Sequence, residues 1–549
     1  MDERRALVAM LLIFLVYIVF TMTMPRRQRP AVVPEEVAQK EVIKEADTTA
    51  TQAVSMDTVA EEAPMKKAIV VTPLYACRFS SLGGTVTSFK LNDYLQDEGV
   101  PVELVPEADR LPFGVALILN TGDRLDLSLV NWKVSGESLN VEVDSEASLI
   151  FELATERGLS VRKTCRFKGD TYAIGVEIEV AGPGSGMVRA VEFGWQSGLS
   201  VTETHREGDD LGNFRGLTLT SDDFPRVQLK DFKKREEIEV GGDIKWSGLK
   251  TKYFLAAFLP LDTEQAIASF FSMGEKAIGM VLKADRSGPG PQEFVVYAGP
   301  LDYRGLKSLG FGLEKAVDFG WSWISPLSKL MFRFMLFCHG AIPNYGLVII
   351  VLSTLIKVLF YPLTQKSMKS MKAMQQLQPE IERLRKDPKY KDKPQELQKA
   401  IMKTYSERGV NPMGGCFPML LQMPVFIALF QVLSRTIELR RAPFVLWIKD
   451  LSAPDVVARL PFSLPFIGDA VSLLPILMGV AMFVQQKMQT TDPKQAAMTY
   501  MLPVVFTVLF FRFPSGLVLY WLVNNVLTIG HQYLMNRADS RREVLTTGG

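Results

Sequence analysis

The chain has 549 residues, of which 47% are apolar, and its formal net charge is +2. That length exceeds what one compact core holds, so several folding units are expected, and the mean hydropathy of +0.11 is high for a soluble protein. The small net charge excludes an overall basic field, so no direct recognition of nucleic acid is predicted.

The first predicted element is an apolar stretch at residues 6–24, which is long enough to span a bilayer. No signal-peptide cleavage pattern follows it, which predicts an uncleaved transmembrane anchor over residues 1–29. Residues 30–67 are rich in Ala, Val, Glu, Thr and Pro without periodicity, and they predict a flexible linker.

Residues 68–316 show the two-residue alternation of β-strands, as in "IGVEIEV" at residues 174–180, with Gly, Asp and Asn clusters between the runs. Many short strands over such a length predict a large extracytoplasmic β-sandwich. Cys77 and Cys165 both lie in this domain. A disulfide between them and two separate buried thiols are alternatives that the sequence leaves open.

The second half of the chain is predicted to be mostly membrane helices. Residues 317–340 mix aromatic and basic residues, which predicts an amphipathic helix in the membrane interface; an ordinary helix packed on the sandwich is the alternative. With the N-terminal anchor, five apolar segments make six predicted spans: residues 346–363, 417–433, 471–486, 498–511 and 517–535. The predicted domains are a second transmembrane helix at 341–364, a hairpin at 365–411, helices three to six at 412–536, and a tail at 537–549.

Charge in the hairpin sets the predicted orientation. Residues 365–410 carry twelve Lys and Arg against six Asp and Glu, an excess that places this loop in the cytoplasm. With six spans, both termini are then cytoplasmic and the sandwich lies on the opposite side. The loop is predicted to contain one amphipathic helix, a break at Asp387–Pro388, and a second helix that begins at Pro394.

The first hairpin helix carries a methionine-rich stripe. Met side chains adapt to varied apolar partners, so the stripe predicts capture of apolar segments; packing of the two helices on each other is the alternative. The residues of the stripe are Met368, Met371, Met374, Leu377, Ile381 and Leu384.

Motifs for catalysis or metal binding are missing from the sequence. It contains no GxxxxGK[ST] phosphate loop and no HExxH helix. Ser515 and His531 are separated by about 24 Å if both lie on one helix, which excludes a nucleophile–base pair. The sequence therefore predicts no enzyme, no catalytic residues, no metal and no cofactor.

Polar residues within the predicted spans are the strongest functional signal. Lys357 interrupts the apolar run "STLIKVLFYPLT", where a lysine costs a few kcal/mol unless it faces a cavity or reaches the interface. Uncharged or amphipathic residues accompany it on several spans and predict a wetted concavity inside the bundle. They are Ser353, Gln422, Gln431, Thr507, Trp521, Asn524, Asn525 and Thr528.

Several segments resemble the YidC/Oxa1/Alb3 family: "YPLTQKSMKSM", "VNPMGGCFPMLLQMPVFIALF", "APFVLWIKDLS", "LPILMGVAMFVQQKM" and "FPSGLVLYWLVNN". The resemblance implies a super-β-sandwich and a five-helix core whose hydrophilic groove opens to the cytoplasm and to lipid. Lys357 falls where the family has a positive groove residue, often arginine. Ser353 and Trp521 fall where the family contacts the substrate helix, although many relatives have tyrosine at the latter position.

The resemblance implies an insertase and chaperone of the bacterial inner membrane, acting alone or with the Sec translocon. Implied partners are nascent inner-membrane proteins, Sec components and the lipid bilayer; the ribosome and the signal recognition pathway remain open. Two other functions are compatible with polar residues in spans, a solute transporter or channel and a pure folding scaffold. No internal repeat, which a transporter often has, is seen in the sequence.

Overall fold

The structure is a computed structural model that describes most of the chain after residue 64. The described residues are 65–96, 99–155, 158–203, 207–233, 235–261, 263, 265–274, 276–390, 393–410, 417–464, 468–489 and 496–547. The predicted N-terminal anchor and residues 30–64 of the predicted linker lie outside these ranges.

Short strands make up the first part of the described chain. In chain order they are β1 Lys67–Val71, β2 Tyr75–Ser80, β3 Val86–Leu95, β4 Pro101–Glu103, β5 Val115–Leu119, β6 Arg124–Asp126, β7 Lys133–Val134, β8 Ser138–Asn140, β9 Glu146–Ala154, β10 Ser160–Lys168, β11 Ala173–Ala181, β12 Val188–Trp195, β13 Arg215–Thr220, β14 Arg226–Val227, β15 Glu237–Gly242, β16 Ile244–Lys250, β17 Phe254–Pro260, β18 Ala266–Ser272, β19 Ile278–Asp285 and β20 Gln292–Pro300. A short helix, α1 (Glu207–Asn213), precedes β13.

These strands form three sheets. Their orders are β4-β3-β2-β1-β8, β14-β13-β16-β17-β20-β11-β10-β9-β7 and β15-β18-β19-β12-β5-β6. Neighbouring strands are antiparallel except for β1 and β8, which are parallel. The predicted large β-sandwich is thus confirmed. The order in which the strands pair within each sheet could not be predicted from the strand pattern and is given by the structure.

One hydrophobic core joins the three sheets. In β11 the alternating residues Ile174, Val176, Ile178 and Val180 are all buried, as the period of two predicts. Aromatic side chains then connect the sheets: the rings of Phe79 and Phe151 lie 5.6 Å apart, and those of Phe193 and Phe258 lie 5.1 Å apart. Cys77 and Cys165 are buried free thiols in this core, so the structure contains no disulfide between them.

A fully buried lysine, Lys163, lies inside the same core. Its ammonium donates hydrogen bonds to the carbonyl oxygens of Gly84 (2.6 Å) and Phe113 (2.9 Å). Burial lowers the pKa of Lys163 to about 8. Gly84 has a φ of +56°, and a Cβ there would come within 2.8 Å of the ammonium nitrogen, so glycine is needed at this turn.

Helices dominate the chain after β20. They are α2 Tyr303–Leu309, α3 Ser325–His339, α4 Tyr345–Leu359, α5 Tyr361–Gln376, α6 Gln378–Lys386, α7 Pro394–Glu407, α8 Phe417–Arg435, α9 Leu473–Gln489, α10 Ala496–Phe510 and α11 Ser515–Thr547. By length and composition, no individual helix among the described residues qualifies as a membrane span, whereas α4 and α5 taken together do.

The second predicted span does not run straight to residue 363. The helix bends by 64° at Phe360, where α4 ends and α5 begins. Pro362 lies in the first turn of α5, a position that proline tolerates at a helix start but not inside a helix. Lys357 therefore lies in the last turn of α4, immediately before the bend.

The first hairpin helix was predicted as continuous through Leu384, and this prediction is wrong. It is divided into α5 and α6 at Leu377, because Pro379 in the first turn of α6 lacks the N–H that a continuous helix would use. The predicted second helix does begin at Pro394. Ile381 of α6 and Ile401 of α7 are buried where these two helices pack together.

A β-hairpin between α8 and α9 was not predicted. It consists of β21 (Val456–Leu464) and β22 (Gly468–Ser472), which pair antiparallel and lead directly into α9. Asp455 precedes the hairpin, and its carboxylate accepts hydrogen bonds from the backbone N–H groups of Leu473 and Leu474 at the start of α9. The hairpin is thereby tied to the beginning of that helix.

Two groups of charged residues join the sandwich to the helical region. Arg435 at the end of α8 forms an ion pair with Asp318, and Lys250 of β16 donates a 2.9 Å hydrogen bond to the carbonyl of Ala316. Burial raises the pKa of Asp318, but the charges of Arg435 and Lys250 outweigh this effect and hold the pKa well below its usual range.

The second group is centred on Arg440, whose side chain is 2% exposed. Its guanidinium donates to the Glu203 carboxylate at 2.7 Å and to the carbonyl of Leu95 at 2.8 Å. It also lies 5.7 Å from the ring centre of Tyr253 and 5.5 Å from that of Phe254. A residue that follows α8 is therefore buried in the sandwich.

Candidate functional site

The candidate site begins with the contact between α4 and α11. The Lys357 ammonium donates a 2.6 Å hydrogen bond to the Thr528 hydroxyl, and that hydroxyl donates a 2.6 Å hydrogen bond to the Asn524 carbonyl. Thr528 is buried and Lys357 is half-buried. Three of the residues predicted from polarity are thus brought together across two packed helices.

Lys357 has no acidic counterpart in the described part of the chain. No carboxylate there forms an ion pair with its ammonium, and its one hydrogen-bond acceptor is the neutral Thr528 hydroxyl. A partly buried cation that is not neutralised attracts negative charge more strongly than one in bulk water. The arrangement therefore favours binding of an acidic or strongly polar group next to Lys357.

Further buried polar atoms lie on α11 without hydrogen-bond partners among the described residues. They are Asn524 Nδ2, Asn525 Nδ2, His531 Nδ1, His531 Nε2 and Gln532 Oε1. Leaving such atoms unsatisfied is unfavourable, because a polar group removed from water loses its hydrogen bonds. This stretch of α11 therefore provides both donors and acceptors for water or for a polar segment.

His531 and Gln532 belong to this stretch but were not among the predicted site residues. His531 lies within electrostatic reach of Lys357, and its ring lies 4.7 Å from that of Tyr361 at the start of α5. The signal was available, since steps of three and four residues lead from Asn524 to Thr528 and on to His531 and Gln532. One more helical turn of the same pattern would have included both.

A second polar contact joins α8 to α11. The Gln422 amide donates to the hydroxyl of Tyr520, a buried residue that the sequence analysis also missed. Trp521, the next residue, packs among aromatic rings: its centroid lies 5.1 Å from Phe426 and 5.5 Å from Phe510. The predicted contact residue Trp521 of α11 thus packs against α8 and α10.

Other predicted site residues have different surroundings. The Ser353 hydroxyl is buried and donates to the Ile349 carbonyl of its own helix at 2.6 Å. Thr507 donates to the Pro503 carbonyl at 2.8 Å and faces Gly479 of α9, where an added Cβ would lie 2.0 Å from its hydroxyl oxygen.

Gln431 lies at the far end of α8 from Gln422, about 13 Å away along the helix. It is buried beside Gly320, near the Asp318–Arg435 ion pair. The structure therefore does not bring Gln431 to Lys357.

The methionine stripe of the hairpin is only partly covered. Met368 is buried where α5 packs on α8, whereas Met371, Met374 and Leu377 are half-buried. Leu377 lies at the junction between α5 and α6. The helices α6 and α7 are additionally linked by an exposed ion pair between Glu380 and Arg408 at 3.3 Å.

Comparison with known proteins matches both halves of the chain. The family described as "YidC periplasmic domain" matches residues 68–334, and the family described as "60Kd inner membrane protein" matches residues 337–542. The membrane protein insertase YidC of Geobacter metallireducens is 35% identical over 560 residues, covering 98% of this chain and 99% of its own. That of Geobacter sulfurreducens is 37% identical over 486 residues, covering 86% of each chain.

A solved structure is also similar over most of the chain. The crystal structure of an active YidC insertase with the first transmembrane domain resolved covers 85% of this chain and 92% of that chain, with 20% identity and a TM-score of 0.39.

A periplasmic β-domain followed by a helical membrane domain defines a class of bacterial inner-membrane protein. Within that class, this chain belongs to the YidC family of membrane protein insertases. The relatives are named as insertases and not as enzymes, in agreement with the sequence analysis.

Proposed function

We propose that this chain moves transmembrane segments of newly made proteins into the inner membrane through a hydrophilic groove bordered by α4, α8 and α11. The observation that carries the proposal is Lys357, an un-neutralised cation held by Thr528 beside the unpartnered polar atoms of α11. The names of the relatives support the same activity.

A client protein must carry a polar segment through lipid to reach its final topology. Moving such a segment through hydrocarbon is costly, because its polar groups lose water. At an effective dielectric constant of 20, a carboxylate 4 Å from Lys357 gains about 4 kcal/mol before water rearranges. The amides of Asn524 and Asn525 supply hydrogen-bond donors for the same segment. The groove therefore lowers the free-energy barrier for moving the segment over part of the membrane thickness.

We further propose a multi-pass arrangement with both termini in the cytoplasm and the sandwich in the periplasm. The basic excess of residues 365–410 supports this orientation through the positive-inside rule. In this arrangement the groove opens to the cytoplasm and to lipid, and α3 lies along the periplasmic membrane surface. The same proposal includes action alone or together with Sec translocon components, a chaperone role, and contact with the ribosome.

The cytoplasmic hairpin is proposed to capture the client first. Met371 and Met374 support this role, because their side chains are only half-covered by the chain's own helices and stay available to apolar segments. Met368 is instead buried against α8 and serves packing. In this proposal Met371 and Met374 of the stripe bind the client, and Met368 packs the helices.

Substituting serine at both Met371 and Met374 is expected to lower insertion of a small client several-fold. Each change removes about 1–2 kcal/mol of apolar contact with the client, of which only part is realised because both side chains are already half-covered by the chain's own helices. Insertion yield in proteoliposomes measures the effect. Met402→Ser is the matched control, since Met402 is 47% exposed on α7 and lies outside the stripe. Equal yields for the double variant and wild type would exclude capture by this stripe.

Reconstitution of the purified full chain alone in liposomes tests the proposed function. A small single-span client should become protected from external protease in these vesicles and not in protein-free vesicles. Protection that appears only when Sec components are added would replace the insertase proposal with a chaperone role. Uptake of a small solute without client protection would replace it with the transporter alternative.

A further inference from the structure

A basic groove lies between α2 and α3, on the opposite side of the helical region from the hairpin in the proposed orientation. Its volume is about 460 Å³. It is lined by Tyr303, Arg304, Lys307, Ser308, Arg333 and Leu336. Three of these six residues are cations and none is acidic, so the groove is a concentrated positive site.

The three cations are available to a ligand. Arg304, Lys307 and Arg333 are all exposed, and none of them forms an ion pair with a carboxylate of the described residues. The groove itself is firmly held, because the Tyr303 ring of α2 packs edge-on against Phe319 (5.4 Å) and Phe332 of α3 (6.0 Å). The positive charges are thus fixed on two packed helices.

An apolar stripe on α3 and the turn before it borders the groove. Trp323, Leu330 and Phe337 are 61%, 64% and 79% exposed. Leu330 and Phe337 are seven residues apart and therefore lie on one line along α3, and Arg333 lies about 60° around the axis from Leu330. Trp323 lies in the turn before the helix. The opposite face of α3, including Met331 and Met335, is buried. A ligand in the groove therefore has exposed hydrophobic surface directly beside it.

Acidic groups limit where an anion can lie. A second cavity of about 560 Å³ shares Arg304 and Leu336 with the groove. The other charged residues that line it are Asp93, Asp302, Glu438, Arg440 and Arg441. The Asp93 and Asp302 carboxylates repel an anion on that side of Arg304, and the Arg440 guanidinium there is already engaged by Glu203. Burial raises the pKa of Glu438 to about 7, so this residue adds less negative charge. The favourable position is therefore nearer Lys307 and Arg333, which is also the side of the apolar stripe.

We propose that this groove binds the headgroup phosphate of an anionic phospholipid in the periplasmic leaflet, while the stripe of α3 contacts its acyl chains. Guanidinium groups bind phosphate oxygens through paired hydrogen bonds, and Lys307 adds a point charge. The inferred occupant is a lipid because the positive charges lie next to the exposed apolar stripe. A free phosphate has no acyl chains that could contact this stripe. The inference rests on the proposed placement of α3 at the membrane surface.

The test uses the full chain in nanodiscs that contain a photoactivatable phosphatidylglycerol or, separately, a photoactivatable phosphatidylcholine. Labelling of α2 and α3 peptides, read by mass spectrometry, is expected to be more than tenfold higher with phosphatidylglycerol, since each cation near an anionic lipid contributes about fivefold and the two nearest cations together contribute about 25-fold. Substituting glutamine at Arg304, Lys307 and Arg333 together should reduce that labelling to the phosphatidylcholine level.

Two variants make the result specific. Lysine at both Arg304 and Arg333 keeps the charges and should keep the preference for phosphatidylglycerol. Glutamine at Lys67, Lys90 and Lys133, exposed cations on strands of the sandwich, should leave it unchanged. Equal labelling by the two lipids, or unaltered labelling in the triple groove variant, would overturn the proposal.

Competition separates the phospholipid from free phosphate. Excess inorganic phosphate should not displace the lipid label, and full displacement would assign the groove to the free anion instead. Client insertion is measured in parallel liposomes, so loss of the lipid preference with normal insertion overturns this inference and leaves the proposed function intact. Absence of label on α3 from both lipids overturns the placement of α3 at the membrane surface, and the inference with it.

Discussion

Replacing Lys357 with glutamate is expected to lower insertion of a client with an acidic translocated segment about tenfold more than insertion of a matched neutral client. The carboxylate repels the client's own carboxylates in a partly dehydrated groove, where a close pair is worth a few kcal/mol before water rearranges. Lys357→Arg keeps the charge and is expected to be nearly silent. Lys357→Ala is expected to lie between, because Thr528 and the α11 amides still provide polar contacts.

The measurement compares insertion yields in proteoliposomes for paired clients that differ only in the charge of the translocated segment. The alternative is that the Lys357 side chain only extends toward the membrane interface beside the bend at Phe360. Under that alternative, each substitution acts through the stability of α4 and affects both clients equally. Equal losses for the two clients in Lys357→Glu would therefore reject the groove.

Arg440→Ala is expected to lower the free energy of unfolding by about 3–5 kcal/mol, because it leaves the buried Glu203 carboxylate without its main counter-ion. The Leu95 carbonyl loses a donor in the same variant. Denaturant unfolding of the full chain in detergent, followed by the tryptophan signal of the sandwich, measures the change. Trp195 and Trp246 are fully buried there and report on sandwich packing.

Arg459→Ala is the matched control for this prediction. Arg459 forms an ion pair with Asp469 at 3.2 Å, but both side chains are at least half exposed, so its loss is expected to cost less than about 1 kcal/mol. The double variant Arg440→Ala with Glu203→Gln is expected to be more stable than Arg440→Ala alone, since it removes the buried charge that has lost its main counter-ion. A double variant as unstable as the single one would show that lost packing, and not the charge of the Glu203 carboxylate, dominates.

Local patterns were enough to predict the strands and most helices. Alternation in β11 reflects a buried and an exposed face, and Pro394 marks a helix start because its missing N–H has no intrahelical partner there. The same rule applied to Pro362 and Pro379 would have placed the breaks at Phe360 and Leu377. Those two errors came from giving the apolar period more weight than proline.

Contacts between distant segments were not predictable in the same way. Arg440 and Glu203 are separated by 237 positions, and only the folded chain shows that they meet. Lys163 occupies an inward strand position, which one sequence cannot distinguish from a lysine at a bend in the sheet. In the candidate site, the polarity of α11 was readable, whereas the pairing of Lys357 with Thr528 and of Gln422 with Tyr520 depends on how the helices pack.

The buried position of Arg440 changes what a deletion experiment measures. A chain cut back to its helical half keeps Arg440 but loses Glu203, the Leu95 carbonyl, and the rings of Tyr253 and Phe254. Such a fragment lacks a domain, and it also exposes the Arg440 guanidinium next to the end of α8. The periplasmic domain thus supplies the surroundings of a residue that belongs to the helical half, and a truncation that tests only the loss of the domain needs a neutral residue at position 440.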